Sequence, residues 1–144
     1  MFIQLIPILH KIHSQGFVHR DIKLDNLKFA GSDIKLLDFG ISSRIGVLMN
    51  GGTLEYMSPL LLIRGHGLVE QSEDWFAVAV ILFKLLCGVD SHPYYTAQDL
   101  KDLNGMPPGQ KHNLEAAARM VEKRCVTWPE GLREAYSASD KGSW

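Results

Sequence analysis

The sequence predicts a mainly α-helical domain with one short β-hairpin, and three stretches carry that expectation. Residues 75–86 are apolar nearly all round, apolar residues recur at helical spacing between Phe2 and His13, and two short β-type runs flank a turn at residues 30–33. At 144 residues and 46% apolar composition the chain can bury one core and is read as a single domain.

In chain order, the first helix has apolar residues at 2, 5, 6, 9 and 12, and Gly16 stands where a left-handed cap would close it. Pro7 interrupts the pattern, so the helix either starts near it or kinks there. Leu27–Phe29 and Ile34–Leu37 then read as strands joined by Ala30-Gly31-Ser32-Asp33. A hairpin of that kind brings the polar clusters at its two ends, His19 to Asn26 and Asp38 to Gly40, together in space.

Residues 41–71 are glycine-rich with little periodicity and read mostly as loop. Ser72 offers an N-cap for the next helix, and Glu73 and Asp74 in its first turn suit the helix dipole. The all-round apolar run from Trp75 to Leu86 predicts a helix buried on every side, ended by Gly88. Thr96 to Leu103 and Asn113 to Lys123 predict two shorter amphipathic helices, capped by Thr96 and Asn113 and separated by a loop at 105–109, with a frayed end at 137–144.

Fifteen basic against sixteen acidic side chains, a net charge of −1, leave no electrostatic footprint for nucleic acid or an anionic membrane. Cys87 and Cys125 form neither a metal pair nor a disulfide framework, which fits a reducing cytoplasm. The apolar start lacks a basic leader and a small-residue cleavage site and is read as a core helix. The run ending at Cys87 is too short to span a bilayer and contains Lys84. The remaining histidines, at 10, 13, 66, 92 and 112, are too scattered for a metal site and are expected in solvated or capping roles.

The chemistry lies in His19-Arg20-Asp21-Ile22-Lys23-Leu24-Asp25-Asn26, which fits H-R-D-x-x-x-x-N, followed across the hairpin by Asp38-Phe39-Gly40. In that order, flanking two strands, the pair resembles the catalytic lobe of the eukaryotic protein kinase family. The resemblance is clear over residues 1–100 and thins beyond, so residues 1–144 are read as a partial kinase domain, the C-terminal lobe. It implies ATP-dependent phosphorylation of protein serine or threonine, with ATP and Mg²⁺ as cofactors. By resemblance Asp21 orients the substrate hydroxyl and takes its proton, Lys23 sits near the transferred phosphate, and Asn26 and Asp38 hold Mg²⁺ against the nucleotide. Lys23 matches the serine/threonine pattern, where a tyrosine kinase usually carries Ala.

Gly52-Thr53-Leu54-Glu55-Tyr56-Met57-Ser58-Pro59 resembles the end of an activation segment, whose Thr53 would hydrogen-bond Asp21 and Lys23. Leu60 stands where the family carries a glutamate tether, and Lys28 where it commonly carries a leucine beneath the adenine. Asp74 matches the residue that anchors the catalytic-loop backbone, while His19 and Phe39 match two members of a regulatory hydrophobic stack. Arg20 could pair with a phosphorylated segment, but no Ser, Thr or Tyr lies between Ser43 and Thr53. Asp25 is read as a turn residue without chemistry. With only 18 residues before His19, nothing here matches the family's Gly-rich loop or its strand lysine. The partners expected are a protein substrate and another kinase or a separate N-lobe, the chain being read either as a fragment of a longer gene product or as one that meets an N-lobe supplied by another molecule. The alternative reading is a catalytically inactive kinase-like lobe acting as a protein-binding or inhibitory module.

Overall fold

A computed structural model describes residues 2–48, 51–58, 61, 68–105 and 119. Helix α1 (Phe2–Ser14) leads through Gly16, at φ +81°, into strand β1 (Phe17–Val18). The stretch from His19 follows and closes in a single 3₁₀ turn, Leu24–Asn26. Strands β2 (Leu27–Ala30) and β3 (Asp33–Leu36) form the predicted hairpin, and β4 (Ser43–Arg44) returns to β1. After a second 3₁₀ turn at Leu54–Tyr56 come α2 (Gln71–Cys87) and α3 (Ala97–Asn104). The described residues are thus helix-rich, with two two-stranded antiparallel sheets. The predicted helix at 113–123, the end at 137–144 and Cys125 lie outside the described residues.

Helix α1 starts at Phe2 and runs through Pro7, so the proline neither begins it nor ends it. The hairpin is tighter than expected: Ala30 pairs with Asp33, and Gly31 at φ +65° takes the first central position of a two-residue turn. Its register also pairs Leu27 with Leu36, which puts both into the core with Ile34.

Leu5 and Leu9 of α1, Ile22 of the loop, the hairpin's inner face and Ala77, Val80 and Ile81 of α2 form one apolar cluster. Burying such side chains drives the assembly by roughly 25 cal/mol per Å² removed from water. Two expectations for α2 are corrected. Its N-cap is Glu70 rather than Ser72, and no side chain caps it. Nor is it buried on every side: Asp74, Ala77, Val80, Ile81 and Lys84 face inward while Leu82, Leu85 and Leu86 stay exposed. An all-round apolar sequence shows only that each side can be covered, and among the described residues one side is. At α3 the predicted cap is present and reciprocal, Thr96 Oγ1 accepting from Asp99 N–H (3.1 Å) and Asp99 Oδ2 from Thr96 N–H (2.8 Å).

Residues 41–48 are more ordered than a loop reading suggests. Val18 pairs with Ser43 and Phe17 with Arg44, and Leu48 bridges to Leu68. No helix among the described residues is long and apolar enough to cross a membrane.

Candidate active site

The loop carrying Asp21 is hung from α2 by one carboxylate. Asp74, 1% exposed, accepts from the backbone N–H of His19 at Oδ2 (2.9 Å) and of Arg20 at Oδ1 (2.8 Å). A third bond, 2.7 Å from His13 Nε2 to Oδ2, ties α1 to the same point. Charge-assisted bonds of this kind are about twice as strong as neutral ones and satisfy an otherwise costly buried charge. They hold Arg20 at φ +72°, a left-handed conformation that costs a non-glycine residue roughly 1–2 kcal/mol.

His13 corrects the expectation of a solvated role, for it is buried and also meets the Trp75 ring edge-on at 5.7 Å. The signal was present in the sequence: Leu5, Leu9 and His13 recur every four residues and share one helix face. Arg20 is likewise committed, donating to Ile41 O (3.0 Å) and Ser43 Oγ (2.5 Å) and so bracing β4 against the loop.

Four of the five predicted site residues converge. Asp21 Oδ1 accepts from the Thr53 hydroxyl at 2.7 Å, and Asp21 Oδ2 from Asn26 Nδ2 at 3.1 Å with Lys23 Nζ at 3.2 Å. Lys23 Nζ also donates to Thr53 Oγ1 at 3.2 Å, and Asn26 Nδ2 to the Asp21 carbonyl at 2.7 Å. A carboxylate, an ammonium, an amide and a hydroxyl thus meet at one point, although Thr53 comes from a segment some thirty positions away. The 3₁₀ turn places Asn26 beneath Asp21, and Thr53 heads the second 3₁₀ turn.

Among the described residues Asp38 makes no hydrogen bond to this cluster. It is exposed at φ +61°, and its Oδ1 accepts from Gly40 N–H at 3.1 Å. The hairpin nonetheless returns it to the loop's side, because Leu37 N–H bonds Asn26 O (2.8 Å) and His19 Nε2 bonds Leu37 O (3.0 Å). Phe39 meets the His19 ring edge-on at 4.7 Å. Burial lowers the His19 pKa, in keeping with a neutral ring whose Nε2–H donates to Leu37 and whose Nδ1 accepts from Asp21 N–H. Asp25 is exposed on the 3₁₀ turn, and Lys28 is exposed on β2.

Sequence reasoning missed the supports of the Thr53 segment. Glu73 was expected only to serve the helix dipole, yet it accepts from Ser58 Oγ (2.7 Å) and Ser58 N–H (3.2 Å). Buried Lys84 pairs with Glu55 at 3.4 Å and donates to Val89 O at 3.0 Å. His92, also buried, donates through Nε2 to Glu55 O at 2.6 Å. A lysine within an apolar run was the one available signal, since Lys is seldom buried without a partner.

Comparison with known proteins agrees with this geometry. The family model described as a protein kinase domain matches residues 1–129. Over 122 residues the chain is 38% identical to "Serine/threonine-protein kinase 1" of Orgyia pseudotsugata multicapsid polyhedrosis virus, covering 82% of this chain and 43% of that protein. It is 27% identical over 157 residues to "Calcium-dependent protein kinase 3" of Plasmodium berghei, covering 98% of this chain and 27% of that one. The solved structure of the Cydia pomonella granulovirus kinase PK-1 superimposes with a TM-score of 0.55 at 27% identity, over 81% of this chain and 48% of that one. The chain therefore spans less than half the length of these relatives. A loop hung on a buried aspartate, a polar cluster around Asp21 and a match over residues 1–129 agree: this chain belongs to the protein kinase domain family.

Proposed function

We propose that the chain contributes the acceptor side of a serine/threonine protein kinase, which transfers phosphate from ATP to a hydroxyl of a protein. The observation that carries this reading is the convergence of Lys23, Asn26 and Thr53 on the Asp21 carboxylate. Phosphoryl transfer needs little covalent work from the protein, and positioning with charge neutralisation supplies most of the catalysis. In this reading Asp21 accepts a hydrogen bond from the incoming hydroxyl and takes its proton, while Thr53 and Asn26 fix the carboxylate's orientation. Lys23 places a positive charge beside the group that becomes negative.

The donor set fits Mg²⁺-ATP. Asn26 spends its amide N–H groups on Asp21, which leaves its side-chain oxygen in the acceptor role, and Asp38 adds a carboxylate. Two oxygens suit a hard cation that completes its shell with phosphates and water. Asn26 and Asp38 would hold the metal, and bound Mg²⁺ supplies neutralisation of phosphate charge.

The test is the melting temperature of the purified chain with and without Mg²⁺-ATP, beside Asp38→Ala. At ten times Kd, a ligand that binds only the folded state adds about 1.4 kcal/mol, a rise of several degrees. The rise is expected in the parent chain and lost in Asp38→Ala. A well-folded chain that shows no shift at millimolar nucleotide would overturn autonomous binding and favour the inactive, protein-binding lobe. The exposed Lys28 is the feature that favours this second reading.

A further inference from the structure

Thr53 reaches Asp21 from a segment with little regular structure, so something must hold that segment in place. Leu60 occupies the position where a glutamate tether would stand. The contacts of α2 supply a substitute. At the helix's first turn the Glu73 carboxylate takes two bonds from Ser58, one from the hydroxyl (2.7 Å) and one from the backbone (3.2 Å). Ser58 Oγ in turn accepts from Leu61 N–H at 3.2 Å. About three turns further along α2, at 3.6 residues per turn, Lys84 lies on the same inward face. It is 5% exposed and pairs with Glu55, while Val89 O accepts a second bond from it. His92 also fastens Glu55, through its carbonyl at 2.6 Å.

Between these two grips the 3₁₀ turn is closed by Tyr56 N–H to Thr53 O (2.9 Å) and Met57 N–H to Leu54 O (3.2 Å), with Tyr56 packed into the core. A turn that short does not fix its own orientation. We propose that Glu73 and Lys84 are positioning residues, gripping the Glu55–Ser58 segment at both ends from one face of α2 and so setting the Thr53 hydroxyl between Asp21 and Lys23. The catalytic consequence rests on the function proposed above, whereas the grip itself does not. Burial raises the Glu73 pKa, a cost of ionisation that only a specific pair of donors offsets.

The experiment follows the ¹³C-methyl signal of Thr53 and amide hydrogen exchange across residues 53–58 in the full chain. The variants are Glu73→Ala, Lys84→Ala, Ser58→Ala and the conservative Glu73→Gln and Lys84→Arg. Ser58→Ala removes the first grip from the segment side and answers the question should Glu73→Ala fail to fold. The alanine variants are expected to displace or broaden the Thr53 methyl signal and to speed exchange at 53–58 on the order of tenfold, the scale of a lost bond to a charged group. Exchange in the β2–β3 hairpin stays unchanged, and Glu73→Gln, which can still accept and donate at Ser58, restores the parent signal. An unmoved methyl signal in the alanine variants, or uniform acceleration across the chain, overturns the proposal. The Mg²⁺-ATP shift measured on the same samples reads the nucleotide assignment separately: its absence in the parent, with the methyl signal still displaced in the variants, upholds the grip and overturns autonomous nucleotide binding.

Discussion

Asp74 concentrates more consequence in one side chain than any residue of the polar cluster itself. Its two oxygens serve His13, His19 and Arg20, so replacing one oxygen by an amide turns an acceptor toward donors. Asp74→Asn is expected to cost about 3 kcal/mol in urea unfolding, the scale of losing hydrogen bonds to a buried acceptor and leaving donors unpaired. His92 gives a prediction with a sign. Burial, opposed by its bond to Glu55 O and reinforced by Lys84, lowers its pKa to about 4. Its geometry agrees, since Nδ1 already accepts from Tyr94 and Tyr95 N–H and would lose both on protonation. Unfolded, the ring takes up its proton near pH 6.5, whereas folded it resists until about 4, so the unfolded chain binds more protons between these values. The stability His92 contributes is therefore complete above pH 6.5 and is lost as pH falls toward 4, by roughly 3 kcal/mol in all. Denaturant midpoints over that range, compared with a non-titrating His92→Asn variant, check it.

At the scale of elements, α1 carries a proline that the sequence flags and the helix absorbs. In its place an alanine would regain the N–H that Ile3 O lacks and remove the ring's clash with that carbonyl. Pro7→Ala, at an exposed position, should raise stability by about 1–3 kcal/mol and the melting temperature with it. Gly16→Ala should do the reverse by ~1 kcal/mol, because φ is +81° while no atom crowds the added methyl. The elements with a period were legible in the sequence. Spacing marks α1, turn chemistry marks the β2–β3 hairpin, and an apolar run with an acidic start marks α2. The β1–β4 pair was not legible, since two residues have no period to read. The convergence of Asp21, Lys23, Asn26 and Thr53 could be anticipated only because the resemblance to the protein kinase family implies it. The Glu73–Ser58 and Lys84–Glu55 contacts could not, for they depend on how α2 lies against a segment without pattern.

For the molecule as a whole, the inward face of α2 organises the core and the site together, while its other face is apolar and open. Leu86 is 76% exposed, and Leu82, Leu85 and Val89 are exposed around it. Contiguous apolar surface drives association. The purified chain should therefore show concentration-dependent self-association in sedimentation velocity, and Leu86→Glu should reduce it without lowering the melting temperature. A strictly monomeric parent chain would contradict this. The Asp21 carboxylate carries a different consequence. An ionised carboxylate offers about four lone-pair positions, and Thr53, Asn26 and Lys23 donate to its two oxygens. Three donors from two separate segments fix the plane of that carboxylate, so it cannot turn without breaking at least one of them. One acidic group thus works as a latch between two stretches of chain, and loosening either stretch loosens the other.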